Sequence, residues 1–167
     1  RTAPIEILKQ PKMPPAVNER KSAVEALKAL SKIRSKAIDL VRDSVAVSLH
    51  KIAESKELDA KEHYRRREYA EAAVLYTSAR LLYESAIEQA TRFARRLDDH
   101  AQALQQRLHT LHASSTIDFA DLEIFDRAMS AEEMGNRSLS GGNSPAAIEQ
   151  YEIAISLYEQ SYRAHKS

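Results

Sequence analysis

The chain has 167 residues, with 25 Lys and Arg against 24 Asp and Glu, three Gly, five Pro and no Cys. Without Cys there is neither a disulfide framework nor a thiolate metal site, and no run of about 18 apolar residues offers a transmembrane helix. Opening at Arg1 with no visible signal peptide, it is expected to be a cytoplasmic piece of a longer protein.

Charge is uneven along the chain. Residues 1–67 hold 16 basic against 9 acidic side chains, and residues 68–167 hold 9 against 15. Either the halves neutralise each other, within one fold or between copies, or the basic half faces an acidic partner, a phosphoinositide surface or RNA.

Residues 1–16 carry four of the five prolines, which prevents a helix and predicts an extended arm. Ile5, Ile7, Leu8 and Met13 make that arm apolar enough to dock. It reads as a strap across the chain's own helices, as a ligand for a groove in a neighbouring copy, or as a linker. From Val17 to about Arg67 there is no Pro or Gly, and Asn18 is a candidate N-cap. Leu27, Leu30, Ile33, Ile38, Val41, Val45, Leu49 and Ile52 recur at mostly three- and four-residue steps, predicting helix with one buried stripe. Some fifty residues is long for one globular helix, so a break is expected, with 31–36 and 55–59 the weakest stretches.

Residues 68–113 read as a second long helix, roughly 65 Å at 1.5 Å per residue, which implies an elongated shape. Within it Ala90, Ala94, Leu97, Ala101, Leu104, Leu108 and Leu111 keep heptad spacing, so 90–111 is a candidate seam for a homo-oligomer. Residues 113–116 form a loop with Ser115 or Thr116 as a cap. A third helix to about Ser140 is expected to bury Phe119, Leu122, Phe125, Met129 and Leu139. Gly141, Gly142 and Asn143 turn the chain. Ser144 then caps a fourth helix with Pro145 at its first position and an inner stripe of Ile148, Tyr151, Ile155, Tyr158 and Tyr162.

The sharpest signal is self-similarity. AAVLYTSARLLYE from Ala72 and AIEQYEIAISLYE from Ala147 align at a shift of 75 residues, sharing A-x-x-x-Y-x-x-A-x-x-L-Y-E. Small Ala residues let antiparallel helices approach, and Tyr fills the wider gap while its hydroxyl reaches a polar edge. The pattern is that of a helical hairpin, used twice.

Gly135, Asn136, Leu139, Ala147, Ile148, Tyr151 and Ala154 resemble the core of a tetratricopeptide repeat. The first copy keeps Tyr64, Tyr69, Ala72, Tyr76 and Ala79 but has Ala60 where the Gly would stand. KEHYRRREYAEAAVLYTSA resembles microtubule-interacting-and-transport (MIT) domains, which are three-helix bundles, at least as well. The 75-residue spacing favours the MIT-like version, since tetratricopeptide arrays repeat at about 34. The resemblance covers about half the chain. It implies partner binding rather than catalysis: MIT domains receive short helical or proline-containing tails, often from membrane-remodelling filament proteins. The chaperone-tail function of some tetratricopeptide domains does not carry over, because Glu132 and Glu133 precede Asn136 where a basic clamp is needed.

Candidate chemistry is sparse. His109 and His112 are one turn apart but have no carboxylate within the next turn, so no metal is expected. Asp98, Asp99 and His100 have no second motif. Glu132 and Glu133 are adjacent and point to different helix faces. No Gly-rich phosphate loop precedes a helix. No enzyme activity and no cofactor are expected. Arg65, Arg66 and Arg67 beside Tyr64 and Tyr69, and Arg92, Arg95 and Arg96, are candidate sites for phosphates or an acidic tail. A nucleic-acid partner is not expected, because the aromatics follow the hairpin pattern.

The expectation is therefore all-α, with four or five helices as two related antiparallel hairpins: an arm over 1–16, a first unit over 17–113 and a second over 114–167. The expected function is a protein-binding scaffold that holds a short helix or Pro-containing peptide in an inter-helix groove. Its partner residues are expected among Tyr64, Tyr69, Tyr76, Tyr83, Tyr151 and Tyr158 with Arg65, Arg66 and Arg67. The alternatives are self-assembly through 90–111, or RNA or lipid binding by the basic half.

Overall fold

A computed structural model of the chain describes residues 15–41, 44–114 and 122–164. The described residues form five helices and no strand, so the fold is all-α: α1 Pro15–Leu40, α2 Ser44–Arg65, α3 Tyr69–Ser114, α4 Leu122–Ser140 and α5 Ser144–Ala164. The arm expected over 1–16 lies outside the described residues except for its last two, which begin α1. A proline fits a first helical turn because its missing N–H would have no intrahelical partner there.

The break in the first helical stretch falls between Leu40 and Ser44, not at either stretch expected to be weak. Ser31 stays helical, its hydroxyl donating to the Leu27 carbonyl at 2.9 Å. The stretch 55–59 is held by Glu57, whose carboxylate is tied to α1 through Arg34.

The chain divides into two compact units, residues 1–90 and 91–167, at a boundary inside α3. The first core takes Ala23, Leu30 and Ala37 from α1, Ala53 and Ala60 from α2, and Ala72, Tyr76, Ala79 and Tyr83 from α3. The second takes Ala101 and Leu108 from α3, Ala128 and Ala131 from α4, and Ala147, Tyr151, Ala154, Ile155 and Tyr158 from α5. Each core thus draws on three helices. Ala and Gly at the contacts let the backbones close, and the Tyr rings fill what remains.

This choice of small residues displaces several expected core positions. Ile38, Val45 and Ile52 are exposed in the first unit, and Leu122 and Met129 in the second. The buried face of α4 runs through Ala128, Ala131 and Gly135. Of the expected stripe, Phe125 and Leu139 are half-buried against the core, and Phe119 lies outside the described residues. On α5 the expected stripe packs inward, with Tyr151, Ile155 and Tyr158 buried.

The two hairpin turns are alike in detail. After α2, Arg67 is left-handed (φ 66°), Glu68 N–H donates to His63 C=O at 3.0 Å, and Arg67 N–H to Tyr64 C=O at 3.1 Å. After α4, Gly142 is left-handed (φ 74°), Asn143 N–H donates to Ser138 C=O at 2.9 Å, and Gly142 N–H to Leu139 C=O at 2.9 Å. Both are Schellman closures, and every residue in one is 75 positions from its counterpart in the other. Asn143, not Ser144, caps α5: its Oδ1 accepts from Ala146 N–H at 3.3 Å. The Ser144 hydroxyl instead lies 3.3 Å from Asp98 Oδ1.

Candidate functional site

The most elaborate chemistry in each unit surrounds one glutamate on its middle helix. In the first unit this is Glu57, 4% exposed. Its Oε1 takes Arg34 Nη1 from α1 and Lys61 Nζ from α2, each at 2.7 Å, and its Oε2 accepts from the Tyr83 hydroxyl of α3 at 3.3 Å. One carboxylate therefore ties three helices. Burial is the strongest single influence on Glu57 and opposes ionisation. The Lys61 hydrogen bond, the Arg34 and Lys61 charges and the Tyr83 hydrogen bond outweigh it together, leaving the carboxyl below its ordinary value. Burial first, then the Glu57 and Glu54 charges, pushes the Tyr83 phenol up to about 12.

The second unit repeats the arrangement at Glu132, 75 residues on. Its Oε2 accepts from the Tyr158 hydroxyl at 2.9 Å and lies 2.9 Å from His112 Nε2 of α3. Burial, then the hydrogen bond to Glu132, raises the Tyr158 phenol. His112 also sets its ring edge-on to Tyr158, centroids 4.6 Å apart. Phe125 meets Tyr158 at 5.4 Å and 66°, as His50, its counterpart in the repeat, meets Tyr83 at 5.1 Å and 72°. One turn beyond Glu132, Asn136 Oδ1 accepts from the Tyr151 hydroxyl at 2.8 Å and from Gln105 at 2.9 Å.

The second unit carries two open grooves, the first of them lined by this cluster. One, of about 720 Å³, is lined by His112, Phe125, Asp126, Met129, Ser130, Glu132, Glu133, Asn136 and Tyr158. The other, of about 770 Å³, lies between α4 and α5 over Ala131, Met134, Ile153 and Leu157, with Glu123, Asp126 and Arg127 at its edge. In the first unit a smaller recess of about 230 Å³ is lined by Ile38, Val41, Val47, His50, Lys51 and Glu54.

The tyrosines and arginines singled out from sequence separate. Tyr76, Tyr83, Tyr151 and Tyr158 are at most 2% exposed, two in each core, so their first task is packing. Tyr64 and Tyr69 stay half-buried at the α2–α3 turn, rings 5.2 Å apart and edge-on. Arg65 and Arg66, at and just past the end of α2, turn back to Glu62 of that helix at 3.7 and 3.0 Å, and Arg67 forms the left-handed turn. They are not gathered into one clamp. The heptad stripe is largely internal: Ala101, Leu104, Leu108 and Leu111 pack in the second core, while Ala94 is exposed.

Glu132 as the acceptor for Tyr158, His112 as its partner, and Met134 and Ile153 as groove residues were not anticipated. Extending the 75-residue alignment back from Ala72 to Glu57 would have found the paired glutamates. Among the described residues no group of three or more metal-ligating side chains converges, and no helix is long and apolar enough to cross a membrane. Compared with known proteins, the chain matches no family model, no curated protein and no solved structure.

Proposed function

We propose that the chain is a non-catalytic interaction module, the adaptor or scaffold part of a larger assembly, which receives a partner peptide or helix in a groove between its helices. Kinship with MIT or tetratricopeptide hairpins, as a tandem pair, belongs to the same proposal.

One observation carries it: the cores repeat and the outer faces do not. Met129, Met134 and Ile153 are exposed in the second unit, where the first has Glu54, Asp59 and Ser78. Conversely Ile52, Leu58, Val74 and Leu81 are exposed in the first, where the second has Arg127, Glu133, Glu149 and Ser156. One fold built twice tolerates polar residues at all seven places, so packing alone does not demand an apolar side chain there. Where exposed apolar residues gather along one groove, as Met134 and Ile153 do with Leu157, they mark a contact surface.

The test is affinity capture with exchanged faces. Met134→Asp with Ile153→Ser should lose the proteins held by the second unit and keep those held by the first. Leu58→Glu with Leu81→Ser should do the reverse. Identical capture by both variants and the parent chain would end the proposal.

A further inference from the structure

The two glutamates, Glu57 and Glu132, occupy one position of one fold, yet their surroundings differ by two permanent charges. Glu57 Oε1 holds both Arg34 and Lys61. In the second unit the Lys61 position is Asn136, which is neutral. The first helices of the units match at a shift of 78, with Ala23 and Leu30 on Ala101 and Leu108, and that shift sets His112 where Arg34 stands. His112 and the Tyr158 hydroxyl both address Glu132 Oε2. Among the described residues Glu132 Oε1, the counterpart of the oxygen that carries both cations in the first unit, takes no hydrogen bond from the protein. The Glu132 side chain is also more open, 26% exposed against 6% for Glu57. Glu132 lines the groove of about 720 Å³ together with Asp126 and Glu133.

We propose that this groove takes an arginine side chain of a partner protein, whose guanidinium sits on Glu132 Oε1 and supplies the charge that Arg34 and Lys61 build into the first unit. This rests on reading the chain as a binding module and names the partner's anchor. A guanidinium matches a carboxylate in geometry and charge. Its flat face suits the half-buried aromatic wall at Phe125, and its methylene stem suits the exposed Met129. The lining carboxylates Asp126 and Glu132, with Glu133 paired to Arg137, repel phosphate, so a nucleic acid or an anionic lipid is not the occupant.

The test is a titration of the whole chain with N-acetyl-arginine amide, followed by amide NMR, beside the neutral isostere N-acetyl-citrulline amide. The expected result is saturable shifts centred on residues 125–136, with arginine bound at least about tenfold more tightly than citrulline, as one charge-assisted contact gives. His112→Arg with Asn136→Lys installs the first unit's own cations and should remove the arginine response; Glu132→Gln should reduce it to the citrulline level. Equal responses to the two ligands, no response to either, or an arginine response that survives His112→Arg with Asn136→Lys would overturn the inference. The arginine–citrulline contrast uses the parent chain and does not depend on any variant folding. If it fails while the exchanged-face capture succeeds, the anchor is wrong and the module stands; if both fail, both are wrong.

Discussion

The first unit closes its buried glutamate with Arg34 and Lys61, and the second closes the same position with His112 while Asn136 replaces the lysine. The first makes its hairpin turn with a left-handed arginine, the second with a left-handed glycine. The first has Ala60 in its core where the second sets Gly135 against Tyr151. Ala, Tyr and Glu in the core are common to both; charge, turn residue and outer face are not. What is common marks what three helices need in order to close. What differs is free for other work, and each unit carries its own set of exposed apolar residues.

The comparison can be broken at its strongest point first. Tyr83→Ala and Tyr158→Ala each remove a fully buried ring and the hydroxyl on the unit's glutamate. Each should cost about 3–5 kcal/mol in urea unfolding. A large loss at one and none at the other would show that the two cores are not equivalent.

Glu57→Gln should cost about 2–3 kcal/mol at neutral pH, since hydrogen bonds to a charged group are lost. The Glu57 carboxyl is held below its ordinary value of 4.5, so its contribution is present above that pH and fades as the pH falls through its lower folded value. The difference between parent and variant should therefore shrink in acid, measured by unfolding at several pH values. Tyr83 has the opposite sign. Its phenol is raised from 10.0 to about 12, so its contribution holds below pH 10 and is lost as the pH climbs toward about 12, which absorbance of the phenolate would follow.

Gly135→Ala sharpens the contrast further. An added Cβ would sit 2.6 Å from Tyr151 Cδ1 and Cε1, so the ring has to move. Overpacking of this kind costs about 1–3 kcal/mol and exceeds the gain of about 1 kcal/mol that Ala brings to a helix interior. A net loss in melting temperature is expected, while Ala60→Gly in the first unit should lose both alanine's helix propensity and the burial of its methyl, each about 1 kcal/mol. The smallest effect is at the turns. Arg67→Gly should stabilise the chain by about 1 kcal/mol, because only glycine takes the left-handed conformation without a steric penalty. Gly142→Arg should do the opposite.

Some of this was legible in the residues. Periodicity and scarce Gly and Pro gave the helices, and the repeat of Ala and Tyr gave the hairpins and their spacing. The placement of the large aliphatics was less legible: Ile38, Val45, Ile52 and Met129 fit a helical stripe, yet alanines one or two positions away are buried instead. Alanine carries little hydrophobic signal, so a core built on close backbone approach hides behind its larger neighbours. The cap at Asn143 was missed because Ser144 before a proline is an equally good candidate by residue type. The site around Glu132 was missed because a glutamate on a helix reads as solvated surface until its partners, 20 and 26 residues away, are known.

The central claim is that the units have one core and two different outer faces. It is tested most directly by urea unfolding of Met134→Asp with Ile153→Ser, which gives the second unit the first unit's residues. With both side chains more than two-fifths exposed, a loss of about 1–2 kcal/mol and an unchanged transition slope are expected. A loss of about 4 kcal/mol or more, with a changed slope, would place these side chains in the core and contradict the account.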